Sequence, residues 1–208
     1  MMHDRSCRLE FWFAFASTYS YLSAMRVQRL AQAAGVGLDW RPFLLGPVFA
    51  AQGLSDSPFN LYESKGRYMW RDLERLCEKE GLDFRRPSRF PRNGLLAARI
   101  ACRGQQQPWC ADFVRAVFRS NFARDEEISD RGLLRAILES LGQPADNLLG
   151  VAESEANKDQ LRSQTARAQS LGIFGAPSFV VGGELFWGND RLEEAIAWCK
   201  RGRGSRDR

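Results

Sequence analysis

Residues Phe11 to Arg26, FWFAFASTYSYLSAMR, pass from an aromatic strand into a helix with the break at Ser17, and few chains can accept that junction. Arg8–Phe15 is rich in aromatics and holds no breaker, so it reads as a first strand. Tyr19–Ala34 reads as a helix, and Gly35 stands where a left-handed residue ends it. Leu38–Leu44 supplies a second strand and completes a β-α-β unit.

At the far end Ser178–Val181 and Glu184–Trp187 flank Gly182-Gly183, a two-residue turn suited to a hairpin. Asn189 then opens a last helix over Asp190–Lys200, giving a β-β-α unit. The stretch between reads as helices. Ser64–Glu80 sets Met69, Leu73, Leu76 and Cys77 on one face before Gly81, and Leu95–Cys102, Trp109–Phe122 and Gly132–Leu141 follow. Glu155–Leu171 carries the chain back. The order describes an α/β chain with a thioredoxin-like fold. Residues 1–46 and 160–208 form one discontinuous domain, and 47–159 form an inserted all-helical domain.

With 44% hydrophobic and 12% aromatic residues in 208, the chain can bury a sizeable core. No run approaches the roughly 18 to 20 apolar residues of a membrane span, and no apolar segment precedes the first strand, so a cytoplasmic protein without membrane contact is expected. The net charge of +5 is concentrated: the last nine residues, KRGRGSRDR, account for +4 of it. Residues 201–208 therefore read as a disordered basic tail, and no nucleic-acid partner is expected. The five cysteines are odd in number, far apart and form no C-x-x-C pair, which predicts reduced thiols and no structural disulfide. His3 is the single histidine, so neither a zinc site nor a Ser-His-Asp triad has its materials, and no metal is expected.

Five segments in register span nearly the whole chain: FWFAFASTYSYLS, RPFLLGPVF, KGRYMWRDLERL, RPSRFPRNGLLAAR and FGAPSFVVGGELFWGNDRLEEA. Together they resemble the 2-hydroxychromene-2-carboxylate isomerase family, relatives of the kappa-class glutathione transferases. The resemblance implies glutathione as cofactor, a homodimer, and isomerisation of a small aromatic carboxylate from aromatic degradation. Thiol-disulfide oxidoreductases with this fold carry a Cys-x-x-Cys pair at the first strand-to-helix turn. Here Ser17 and Ser20 replace it, and the redox chemistry goes with the thiols.

Ser17 matches the serine that in this family faces the glutathione sulfur, although serine is also a favoured helix cap. A charge-assisted hydrogen bond of about 1.5 to 3 kcal/mol and a helix N-terminus worth about 0.3 to 1 would together lower a thiol pKa of about 8.5 by roughly 1.3 to 3. Ser17 then needs only to donate a hydrogen bond. Ser20 is read as structural. Thr18 stands where proline commonly follows the serine, and Ala14 where relatives often carry an acid.

Ala176-Pro177 matches the cis-proline turn, whose preceding residue offers backbone N–H and C=O groups to an extended peptide. Asn189 and Asp190 match positions that hold the γ-glutamyl end, Asp190 opposite its ammonium, although both also suit a plain helix start. Lys65 matches a lysine that reaches a carboxylate. Asp56 stands where kappa enzymes place an asparagine, which leaves Ser57 or the backbone to substitute.

For the aromatic substrate the matching motifs offer Tyr68, Arg71, Arg89 and Asn93, with arginine able to grip a carboxylate bidentately. Phe43, Phe49 and Trp187 are candidate walls of the aromatic pocket. A kappa-like transferase or peroxidase and a non-catalytic glutathione-binding protein are the alternative readings.

Overall fold

The computed structural model describes residues 7–204, with side chains through 201. Four strands form one sheet in the order β2-β1-β3-β4, where β1 is Arg8–Phe13, β2 Gly37–Pro42, β3 Ser178–Val181 and β4 Glu184–Trp187. β1 pairs parallel with β2 (Phe11 opposite Trp40) and antiparallel with β3 (Phe11 opposite Phe179). β3 and β4 form the hairpin. This is the thioredoxin-like arrangement expected from the two terminal units.

Period-two alternation along β1 divides its side chains between the two faces. Phe11 and Phe13 share one face with Trp40, with ring centroids 5.2 and 5.8 Å from it. Trp12 points to the other face and meets Phe43 at 6.2 Å. Helix α1, Thr18–Ala33, follows β1 directly, and its buried side includes Tyr21, Leu22, Ala24 and Val27.

Eight helices lie between β2 and β3. They are α2 (Leu45–Ala51), α3 (Pro58–Leu61), α4 (Glu63–Glu80), α5 (Leu95–Gly104), α6 (Cys110–Phe122), α7 (Arg131–Ser140), α8 (Ala145–Ala152) and α9 (Glu155–Ser170). The sequence missed α2, α3 and α8, all of eight residues or fewer. Their cores are not separate from the sheet. The ring of Phe118 in α6 lies 5.1 Å from that of Phe15, tilted by 47°, and one apolar cluster runs from Phe11 and Phe13 through Phe113 and Val117 to Leu134 and Leu149. A division between 159 and 160 falls inside α9.

After β4 a 3-10 turn, Asn189–Arg191, leads into α10, Leu192–Gly204. The expected tail therefore begins as helix, and residues 205–208 lie outside the described part. One expectation is overturned: Cys7 and Cys199 form a disulfide, although they are 192 residues apart in sequence. Their meeting is a product of the fold, because Cys7 immediately precedes β1 and α10 packs across β1 and β3. Cys77, Cys102 and Cys110 are free and buried. Among the described residues no helix is long and apolar enough to cross a membrane.

Candidate active site

Ser17 caps α1 with extended backbone angles, φ −88° and ψ 120°. Its Oγ accepts the Ser20 N–H at 3.2 Å and donates to the Ala176 carbonyl at 2.8 Å. One hydroxyl thus ties the strand-helix turn to the loop before β3. The Ala176–Pro177 peptide is cis. Ser20 contributes its N–H to the cap, while its own Oγ is buried without a partner, in keeping with a structural place. Thr18 donates to Met69 Sδ at 3.3 Å, which anchors the turn to α4 from the position where proline is commonly found.

The approach to Ser17 is fixed from behind as well. Asn121 Nδ2 donates to the Phe15 carbonyl at 3.0 Å, and Arg92 reaches both the backbone and side-chain oxygens of Asn121 at 3.2 Å. Arg92 is buried and also pairs with Asp125. Hydrogen bonds from Ser88 and Arg92 hold the Asp125 carboxyl down at about 2. Asp125 itself sits at φ 59°, a left-handed conformation that aspartate tolerates better than most residues.

In front of Ser17 lies a cavity of about 1080 Å³. It exceeds the usual 300–1,000 Å³ range of small-molecule sites, which leaves room for two small ligands side by side. Ala176, Pro177, Asn189 and Asp190 form one side of it, and Lys65 and Tyr68 of α4 form another. The Asn189 Oδ1 accepts from Ser23 Oγ at 2.9 Å, so its amide N–H₂ is the group left to meet a ligand. Gly188 has φ 112°, and a Cβ there would stand 2.5 Å from Asp190 Oδ1. Glycine is what lets the Asp190 carboxylate fold back beside its own turn. Lys65 Nζ lies 4.8 Å from the Tyr62 ring centroid and, among the described residues, makes no ion pair. Asp56 and Ser57 also line the space, but the Asp56 carboxylate is taken up by Ser57 N at 2.6 Å and Asn60 Nδ2 at 3.0 Å.

The remaining expected substrate contacts divide. Tyr68, Phe49 and Trp187 line the cavity, and Trp187 packs on Phe174 with centroids 4.8 Å apart. Phe43 does not: it is 1% exposed in the cluster beneath the sheet with Trp12, Val48 and Ala168. Arg71 lies along the outer face of α4, paired with Glu74 at 2.8 Å. Arg89 is exposed, 3.9 Å from Glu127. Asn93 accepts the Leu95 N–H at 3.0 Å ahead of α5. None of these four is on the cavity wall. A motif match fixes position along the chain, but the direction of a helical side chain follows from which face its helix buries. In α4 that face belongs to Met69, Trp70, Leu73 and Cys77, and Arg71 is turned away from it.

Sequence reasoning passed over Tyr19, Asp72, Phe174 and Arg191, all on the wall. The Tyr19 hydroxyl donates to Asp72 at 2.9 Å, and burial, then that bond, push its pKa well above the ordinary phenol value. Tyr19 is therefore a neutral donor. Its signal was available, since it follows the turn by two residues. Phe174 and Arg191 lie within the quoted C-terminal motif and were hidden by their neighbours. No cysteine lines the cavity, and among the described residues no group of three His, Cys, Asp or Glu side chains is placed to hold a metal.

Comparison with known proteins follows the same outline. The DSBA-like thioredoxin domain matches residues 8–196. A protein of Sphingobium xenophagum named 2-hydroxychromene-2-carboxylate isomerase is 30% identical over 185 residues, covering 89% of this chain and 94% of that protein. Glutathione S-transferase kappa 1 of Rattus norvegicus is 26% identical over 199 residues, covering 89% and 87%. A solved structure of 2-hydroxychromene-2-carboxylate isomerase superposes with a TM-score of 0.82 at 26% identity, over 95% of this chain and 98% of that one.

Proposed function

Because the chain belongs to the DsbA-like thioredoxin family, and within it to the 2-hydroxychromene-2-carboxylate isomerases and their kappa-class glutathione transferase relatives, we propose that it is a glutathione-dependent isomerase. The observation that carries this reading is the Ser17 hydroxyl, set at a helix N-terminus 2.8 Å from the Ala176 carbonyl with the cavity in front of both. When bound, glutathione supplies a sulfur nucleophile whose reversible addition frees a conjugated bond to rotate.

The chain's own residues suit that ligand. Ala176 presents backbone groups to an extended peptide, Asp190 answers the γ-glutamyl ammonium, and the Asn189 amide and the turn's N–H groups answer its carboxylate. Lys65 answers the glycyl carboxylate from α4. Ser17 has one proton, and in the ligand-free arrangement it goes to the Ala176 oxygen. A backbone oxygen can accept two bonds, so a ligand N–H placed there would compete with the Ser17 hydroxyl for Ala176. Ser17 would then be free to direct its proton into the cavity, where it would serve as a donor to an anionic sulfur and not as a base.

The test is Ser17→Ala, read by the pH titration of thiolate absorbance in the glutathione complex. Losing a charge-assisted bond of about 1.5 to 3 kcal/mol should raise the thiol pKa by roughly 1 to 2. Isomerase turnover should fall by about five- to twentyfold at neutral pH, the loss of thiolate that this shift produces. An unchanged thiol pKa would remove Ser17 from the mechanism. The similarity to the kappa 1 transferase supports a second reading, transfer of glutathione to an acceptor. Net loss of glutathione during turnover would select it over isomerisation.

A further inference from the structure

Resting on the reading that glutathione occupies this cavity, we propose that the neighbouring subsite takes an uncharged aromatic molecule with a hydrogen-bond-accepting oxygen, and not a carboxylate. The relatives' name specifies a carboxylate, so this chain would differ from them in its acceptor.

Charge on the cavity wall decides between the two. Among the described residues the wall carries two cations, Lys65 and Arg191, against three carboxylates, Asp56, Asp72 and Asp190. Arg191 is already engaged, 3.6 Å from Asp190 and 3.3 Å from Glu194. Glutathione brings two carboxylates and one ammonium. Asp190 matches the ammonium, Lys65 one carboxylate, and the turn carrying Arg191 the other. No cation is then left for a second ligand. The arginines that a carboxylate would need are turned outward, Arg71 to Glu74 and Arg89 to Glu127.

What is left of the wall is apolar and neutral: Phe49, Leu54, Phe59, Phe90 and the Phe174–Trp187 pair. A carboxylate placed against these rings would lose its hydration without gaining a cationic partner, with only the neutral Tyr68 hydroxyl to meet it, and it would face an anionic sulfur. An aromatic ring gains from the same surface. The hydroxyl of Tyr68, on the wall and 64% exposed, offers a donor to a carbonyl oxygen, while Tyr19 is already committed to Asp72.

Calorimetry on the full-length protein tests this without turnover. Two ligands of matched shape are cis-benzylideneacetone and cis-benzylidenepyruvate, in which a carboxylate replaces the methyl group. Each is titrated into free protein and into protein saturated with S-methylglutathione, which cannot add to either. Loading should leave the ketone's Kd within about twofold and weaken the pyruvate's at least tenfold, about 1.4 kcal/mol, because Lys65 and the turn are then occupied. In Lys65→Gln the free protein should lose pyruvate affinity and keep ketone affinity. Pyruvate binding the loaded protein as tightly as the ketone, or neither ligand binding it, overturns the inference. Failure of S-methylglutathione and glutathione themselves to bind overturns instead the reading on which it rests.

Discussion

A hydroxyl with one proton and two candidate acceptors is a switch only if the first acceptor can be taken from it. At Ser17 the first acceptor is a backbone carbonyl, the group an incoming peptide N–H would seek. A second residue worth isolating is Asp125. Its left-handed φ of 59° makes asparagine the conservative replacement, one that keeps the backbone and removes the charge. Because its carboxyl is held down at about 2, its contribution is present above the unfolded value near 4 and is lost as pH falls through about 2. Asp125→Asn should therefore lower the melting temperature at pH 6, with the gap to the parent closing between about pH 4 and pH 2. A gap independent of pH would show that charge is not what Asp125 contributes. At this scale the sequence singles out Ser17, Ala176 and Asp190, and the fold brings all three to one cavity wall. Arg71, Arg89 and Phe43 share the motifs and lie off that wall, because a motif fixes neither the face of a helix nor the side of a sheet.

Among elements, α6 does more than fill the core. It carries Phe113, Val117 and Phe118 into the sheet's aromatic face, and through Asn121 it holds the Phe15 carbonyl two residues ahead of Ser17. Asn121→Ala leaves that carbonyl and Arg92 short of buried partners, which should cost about 1 to 3 kcal/mol in urea unfolding. The same variant should weaken glutathione binding, since the loop leading to Ser17 loses its rear support. Full stability would mean that water replaces the amide. The long elements were readable from period and caps: α1, α4, α6 and α9 lie within two residues of their expected bounds. The short ones were not. α3 is four residues, begun by Pro58 and capped by Ser57, and local geometry there is set by α4, whose Gly66 would bring a Cβ to 2.3 Å from the Phe59 carbonyl. Such a helix exists by contact with its neighbour more than by its own pattern.

For the whole molecule, the disulfide changes how the thiols should behave. Burial pushes Cys77 and Cys110 up to about 12 and Cys102 to about 11, so none is a ready nucleophile. Native protein at pH 8 should yield no rapidly reacting thiol, denatured protein three, and denatured reduced protein all five. Five reactive thiols without reductant would show the bridge to be absent. Where it is present, closing a loop of 192 residues constrains the unfolded chain by about 5 kcal/mol in the chain-entropy treatment, so reduction should lower the melting temperature markedly. Spacing rules could not find this pair, since its proximity depends on α10 crossing β1, a relation that exists only after folding.

That bridge also closes the segment from Cys7 to Cys199 into a ring. Cys7 and Cys199 enclose the four described strands and the whole cavity within one covalent ring. A single proteolytic nick anywhere between them would leave both fragments attached. The thioredoxin-like halves, separated in sequence by the inserted helices, are therefore joined by two covalent routes, and the chain could be reopened at another surface loop without parting them.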